Sequence, residues 1–250
     1  MRRVLLSLAF ASAASLALAM VGGAPPASDA VARRVALIAG SRGNFCSGVA
    51  LARDLLLTAA HCVTPGADYK LVEYDANRQP ILRDVTDIAR HPQFELKALL
   101  AHRATADIAL LKLARPADLA PAQLAPSSQP VAVGDRFLVA GYGVAVRGDG
   151  RTGGQVRAAT LSATGQPGSL QIRLLDPAAT AAGGLGACTG DSGAPVFVPS
   201  EPLIVVIGLV SWSTGPGLTG GCGGLTGVTP LARYRGWIVE QAARLGSPLP

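Results

Sequence analysis

Thr189-Gly190-Asp191-Ser192-Gly193-Ala194-Pro195 carries a candidate nucleophile, Ser192. Taken alone, the stretch also reads as an ordinary turn, because Gly, Asp and Ser are the residues from which turns are built. It does not stand alone. Thr58-Ala59-Ala60-His61-Cys62 supplies an imidazole, and Asp107-Ile108-Ala109-Leu110-Leu111 supplies a carboxylate 46 residues after His61 and 85 before Ser192. A serine hydroxyl attacks poorly at neutral pH unless an imidazole takes its proton, and the imidazole needs a buried carboxylate to fix its tautomer. His61, Asp107 and Ser192 are the candidates for base, orienting acid and nucleophile.

Around these segments, short apolar runs rich in β-branched residues recur between Gly, Pro and Asp punctuation, at 35–39, 49–57, 108–113, 137–140, 170–175, 196–198 and 203–212. That is an all-β rhythm. The run 204–210 is apolar at nearly every position, which predicts a strand buried on both faces and is far too short for a membrane helix. Only the end of the chain reads as helical. Tyr234, Trp237, Ile238, Gln241, Ala242 and Leu245 fall at helical spacing, with Gly246 and Pro248 as stop signals. Residues 116–130, rich in Ala, Pro, Ser and Gln, contain no periodic element and read as a connection. Residues 143–154 and 178–186 read as surface loops.

At 250 residues the chain is long enough for one large core or for two halves sharing a cleft. Met1-Arg2-Arg3, the apolar run 4–19 and the ending Ala17-Leu18-Ala19 read as a secretory signal peptide, short and Ala/Ser-rich for a bilayer span. The expected destination is periplasmic or extracellular, outside a bacterial cell, with no stable membrane insertion once the signal is removed. Formal net charge is +6, and losing Arg2 and Arg3 lowers it by two to +4, with the remaining charges scattered. Aromatic residues make up 4% of the chain and do not interleave with a basic run, which argues against nucleic acid as a partner. Four cysteines in an exported chain are expected to pair, although counting leaves three connectivities open. No Cys-x-x-Cys spacing exists, so neither a metal nor another cofactor is expected.

The order His, Asp, Ser along the chain, the spacings between them, Gly190-Asp191-Ser192-Gly193 and His91-Pro92-Gln93-Phe94 together resemble the trypsin/chymotrypsin family of serine proteases. The resemblance implies an all-β, chymotrypsin-like fold of two six-stranded antiparallel β-barrels with a C-terminal helix. The divisions expected are 1–19 signal, 20–120 first barrel with His61 and Asp107, 121–232 second barrel with Ser192, and 233–250 helix and tail. It pairs Cys46 with Cys62 and Cys188 with Cys222, each bridge worth about 3 kcal/mol. His91 is then structural and His102 a loop residue.

Acyl transfer needs donors aimed at the oxygen that turns negative in the tetrahedral intermediate, and the backbone amides of Gly190 and Ser192 are the candidates. Ser211-Trp212-Ser213 resembles the family strand that pairs with substrate backbone, its first serine also contacting the catalytic aspartate. Met20-Val21-Gly22-Gly23 resembles the family's mature start. Cleavage after Ala19 would free the Met20 ammonium to pair with Asp191, the partner raising the ammonium's pKa so that its contribution is lost at high pH. Neutral His61 sets the acid limb, so kcat/KM should be bell-shaped. The specificity positions implied by the resemblance are Gly186, Ser213 and Gly227. All are small and uncharged, which predicts a neutral, fairly open pocket suited to apolar or aromatic side chains and unfavourable to Arg or Lys.

The expected activity is that of an exported, monomeric serine endopeptidase acting on polypeptides and open to protein inhibitors. A non-enzymatic binding protein on the same fold is the rival expectation, disfavoured because no triad position is substituted. An esterase with Gly-x-Ser-x-Gly is disfavoured because position 194 is Ala.

Overall fold

A computed structural model of the chain describes residues 20–128, 130–164, 170–198 and 204–250. The signal-peptide reading of 1–19 lies outside the described residues. Among the described residues no helix is long and apolar enough to cross a membrane.

Six antiparallel strands close the first barrel: β1 (Val35–Gly40), β2 (Phe45–Ala52), β3 (Leu55–Thr58), β4 (Tyr69–Tyr74), β5 (Pro80–Arg90) and β6 (Ala109–Leu113), in the order β1-β2-β3-β6-β5-β4. Strand alternation explains why the leucine run of β3 is apolar throughout. Leu56 points into the barrel with Ile38, Leu71 and Leu111, while Leu55 and Leu57 point out into a second cluster shared with Phe197 and Ile238. Strands β4 and β5 do not announce themselves as apolar runs because one face is wet; Leu82 is 58% exposed and Ile81 41%.

The second barrel comprises β8 (Arg136–Gly141), β9 (Arg157–Ala163), β10 (Ile172–Leu175), β11 (Pro195–Val198), β12 (Val205–Ser213) and β13 (Thr226–Pro230). Their order is β11-β8-β9-β10-β13-β12, and β11 pairs with β12 to close the ring. Two antiparallel six-stranded barrels are therefore present, as expected. The central strand β12 is buried on both faces: Ile207 and Val210 face the barrel interior, and Val206 and Leu209 face the inter-barrel cluster.

Three local features differ from the sequence reading. The connection 116–130 contains a two-residue strand, β7 (Gln123–Leu124), which pairs parallel to β12 at Val205 and Val206 and is too short to leave a period. Two short helices precede the terminal one, α1 (Asp29–Ala32) and α2 (Leu96–Leu100), each about one turn and thus without a readable apolar stripe. Residues 143–154 are not wholly a surface loop, since Gly143, Val144 and Ala145 are buried and the Thr152 hydroxyl accepts from the amides of Ala145 and Val146.

Helix α3 (Arg235–Arg244) closes the chain, burying Ile238 and Ala242. The tail after it returns to the first barrel, where Ser247 donates to Asp54 at 2.8 Å and Lys112 Nζ bridges Asp54 and Ser247. His91 is packed against this region, with ring centroids 5.1 Å from Tyr234 and 4.7 Å from Trp237, and burial holds its pKa below the ordinary histidine value.

The barrels are pinned together at Ser47, a fully buried residue of β2. Its amide donates to Ser192 O at 2.8 Å, its hydroxyl donates to Gly190 O at 2.8 Å and accepts from the Tyr142 amide at 2.9 Å, and its carbonyl accepts from Thr58 Oγ1 at 2.7 Å. Replacing Ser47 with Ala leaves the Gly190 carbonyl and Tyr142 amide without that partner, which costs about 2–4 kcal/mol. Urea unfolding of Ser47→Ala should show a lower midpoint at unchanged slope. A wild-type midpoint would remove Ser47 from the joint.

Candidate active site

His61 and Asp107 are brought together by strand register. Thr58, the last residue of β3, pairs with Ala109, the first of β6, so the segments leaving these two strand ends run side by side. A 3-10 turn at Ala60–Cys62 carries His61 back over the barrel rim. Its Nδ1 lies 2.8 Å from Asp107 Oδ2, and its backbone amide donates to Asp107 Oδ1 at 2.9 Å. Asp107 is fully buried, whereas the His61 side chain keeps 19% of its surface exposed. The disulfide Cys46–Cys62 ties the turn to β2.

The third partner of Asp107 comes from the other barrel. Ser211 Oγ donates to Asp107 Oδ2 at 2.5 Å. Ser211 falls where the β12–β13 register shifts between Val210 and Trp212, and such a bulge re-aims a side chain out of strict alternation.

Ser192 sits on the turn between the second-barrel strands β10 and β11, only partly buried. This turn reaches the histidine segment through Gly193, whose φ of +76° is costly for other residues and whose Cα lies so near the first barrel that a Cβ would fall 2.2 Å from Thr58 Oγ1 and 2.9 Å from the Ala59 amide. Glycine is required there by both conformation and space. The Ser192 loop thus rests on the residues that lead directly into His61.

Gly190 has φ +92°, and a Cβ on it would strike the Phe45 ring at 2.2 Å. Its positive φ turns the amide away from the neighbouring backbone. Among the described residues, the amides of Gly190 and Ser192 donate to no protein acceptor, while those of Asp191, Gly193 and Ala194 between and beside them are all taken, by Cys188 O, Val210 O and Asp191 O. Two unused donors beside one hydroxyl can serve an oxyanion.

Asp191 is buried, its two oxygens accepting from the Cys188 and Gly143 amides at 2.9 Å each, yet burial dominates and pushes its pKa up to about 7. Met20 is fully buried in the second-barrel cluster with Ala187 and Ala194, residues that flank the Asp191 loop. Val21 forms an antiparallel bridge with Gly186.

Beside Ser192 opens a cavity of about 330 Å³ lined by Cys188, Thr189, Val210, Trp212, Ser213, Gly221, Cys222 and Arg147. The disulfide Cys188–Cys222 forms one side. Of the three predicted specificity positions, Ser213 lines this space. Gly186 stands behind it, packed against Gly223 and Gly224, and Gly227 is covered by the Trp212 indole, which would lie 2.0 Å from a Cβ there. His102 stacks on Trp212, with centroids 4.5 Å apart and planes 11° off parallel. Cys46, Cys62 and His61 lie within 4.8 Å of one another, but both sulfurs are joined in the disulfide and offer no thiolate to a metal.

Ser47 and Arg147 are the site residues that sequence reading misses. Ser47 stands next to Cys46, which the reading does use, whereas Arg147 lies 45 residues before Ser192 and belongs to no motif.

Residues 20–238 match the profile of the family described as Trypsin. The chain is 31% identical over 224 residues to a vitellin-degrading protease of Bombyx mori, covering 81% of this chain and 78% of the relative, and 31% identical over 240 residues to trypsin II-P29 of Gallus gallus, covering 90% and 89%. These relatives are animal proteins and give no support to a bacterial source. In solved structures, human heparin binding protein has the same fold, with TM-score 0.70 at 24% identity, covering 92% of this chain and 100% of that one. With the family profile spanning both barrels and the relatives matching across most of their length, the chain belongs to the trypsin family of serine proteases.

Proposed function

We propose that this protein is an exported, monomeric serine endopeptidase that cuts polypeptides through an acyl-enzyme on Ser192. The observation carrying this reading is the fully buried Asp107 carboxylate gripping His61 Nδ1 at 2.8 Å and Ser211 at 2.5 Å, on the rim where the Ser192 turn leans over the histidine segment. Asp107 keeps the Nδ1 proton in place, which leaves Nε2 with a lone pair. Nε2 takes the Ser192 proton as Oγ bonds to the scissile carbonyl carbon, and the oxyanion accepts hydrogen bonds from the Gly190 and Ser192 amides. The imidazolium then gives its proton to the leaving amine nitrogen as the C–N bond breaks. Water, deprotonated by the same imidazole, hydrolyses the ester and restores Ser192.

The uncharged Gly186, Ser213 and Gly227 offer no counter-ion, so a Lys or Arg side chain entering this pocket would stay unpaired. Trp212 and Ser213 line the cleft as the strand expected to hold substrate backbone. Protein inhibitors that present a strand to this cleft fit the same reading.

Against a diverse peptide library, wild type should yield cleavage products that Ser192→Ala does not; equal products from both would refute the nucleophile. Asp107→Asn should keep the fold and lower kcat by about 10⁴. Full activity would remove Asp107 from the mechanism.

Signal cleavage after Ala19 would place a free Met20 ammonium near Asp191. An Asp raised from 3.8 to about 7 contributes stability that is complete below the lower value and lost as pH rises through the upper one. A form extended by one residue before Met20, whose amine cannot enter, should therefore lose up to about 4 kcal/mol between pH 4 and pH 8. The form beginning at Met20 should lose much less in that window, because the ammonium favours the ionised carboxylate. Denaturation midpoints measured across this range test it, and identical pH profiles for the two forms would rule out the pair.

A further inference from the structure

Among the described residues, the charged side chains at the cleft are engaged by other parts of the chain, with one exception. Asp107 is held by His61 and Ser211, and Asp191 by two amides. Arg147 is the exception. It leaves the loop that follows β8 and its guanidinium crosses to the far wall of the cavity beside Ser192, where it packs on Gly221; a Cβ on that glycine would fall 2.6 Å from Nη1 and 2.7 Å from Cζ. Among the described residues no carboxylate or carbonyl pairs with it. The acid closest in its own loop, Asp149, is occupied by Arg151, through Nε at 2.9 Å, Nη2 at 3.1 Å and the backbone amide at 3.1 Å. Asp176, on the other side of the pocket region, accepts from the amides of Ala178 and Leu185.

The remaining lining of the cavity is Cys188, Thr189, Ser192, Val210, Trp212, Ser213, Gly221 and Cys222, none of which carries a charge. A single unpaired cation therefore sets the potential of the space into which the side chain next to the scissile bond must go. A planar guanidinium matches a carboxylate with two parallel hydrogen bonds. The space of about 330 Å³ takes a side chain of glutamate size, and with the Ser213 hydroxyl already donated to Gly221 O at 3.2 Å the guanidinium is the group left to meet a carboxylate. A cationic substrate side chain meets repulsion in the same place, and an apolar one leaves the guanidinium with no new partner.

We propose that Arg147 is the specificity-determining residue of this pocket and that the enzyme cleaves after acidic residues, glutamate or aspartate, whose carboxylate pairs with its guanidinium. This rests on the reading of Ser192 as nucleophile and of the cavity beside it as the pocket for the residue on the acyl side of the cut. It replaces the preference for apolar or aromatic side chains predicted from positions 186, 213 and 227 alone, because the charge comes from a loop that those positions do not reveal.

The test is a matched set of peptides differing only at the residue before the scissile bond, Glu, Asp, Gln, Phe, Leu or Lys, with enzyme normalised by titration of Ser192 with a fluorophosphonate. At low salt, wild type should give kcat/KM for Glu at least about tenfold above Gln and Phe, since an ionic hydrogen bond at a partly solvated site is worth that order. Arg147→Gln should collapse the Glu to Gln ratio to near one, and Arg147→Glu should shift the preference toward Lys. Thermal melting of both variants establishes that they are folded. A wild-type preference for Phe, Leu or Lys, or a Glu to Gln ratio that Arg147→Gln leaves unchanged, would overturn the inference while leaving the protease reading intact. Failure of wild type both to react with the fluorophosphonate and to cut any peptide would overturn the protease reading and this inference with it.

Discussion

A carboxylate removed from water is costly unless its oxygens are satisfied, and Asp107 is satisfied only if both barrels are in place. Two of its hydrogen bonds come from His61, carried by the first barrel, and the third from Ser211 on the central strand of the second. The constraint runs both ways. The acid cannot be buried without the barrels closing on each other, and the barrels bring the imidazole and the Ser192 turn to one rim only because the strands flanking that acid are in register. Around it lie further cross-barrel ties that serve the same alignment: Ser47 holding the carbonyls of Gly190 and Ser192, and Gly193 approaching Thr58 at a distance that admits no side chain.

Asp191, fully buried like Asp107, is built differently. Its partners are two amides of its own neighbourhood, and these do not offset its burial, so the group prefers to hold a proton up to about pH 7. A loop that contains both Ser192 and the two amides without a protein acceptor among the described residues is thereby left sensitive to whatever charge is brought beside it. The start of the described chain packs beside this loop, with Met20 in the apolar cluster that includes Ala187 and Ala194 and Val21 bridged to Gly186.

Much of this arrangement is legible in the amino-acid order, and the parts that are not share a cause. Local chemistry reads well: His61 and Asp107, 46 residues apart, lie in hydrogen-bonding contact, the apolar run 204–210 ends up largely buried, and the terminal helix stops before Gly246 and Pro248. Elements whose character is set by tertiary surroundings do not read. β5 pairs on both sides yet leaves most of its residues in water, so it carries no apolar signature. β7 and α2 are too short for any period. At the site, Trp212 lying over Gly227 and Arg147 crossing to Gly221 are contacts between segments distant in sequence, and no motif in either partner points to the other. Positions 186, 213 and 227 thus give no sign of Arg147, which lines the cavity beside Ser192.

The claim on which the rest turns is that Asp107 fixes the imidazole with its proton on Nδ1. Nitrogen-15 NMR of His61 in the neutral form measures this directly. A protonated, pyrrole-like Nδ1 and a pyridine-like Nε2 are expected, with the Nδ1 proton protected from exchange and that protection lost on Asp107→Asn. A neutral His61 protonated at Nε2 in the wild-type enzyme would contradict it.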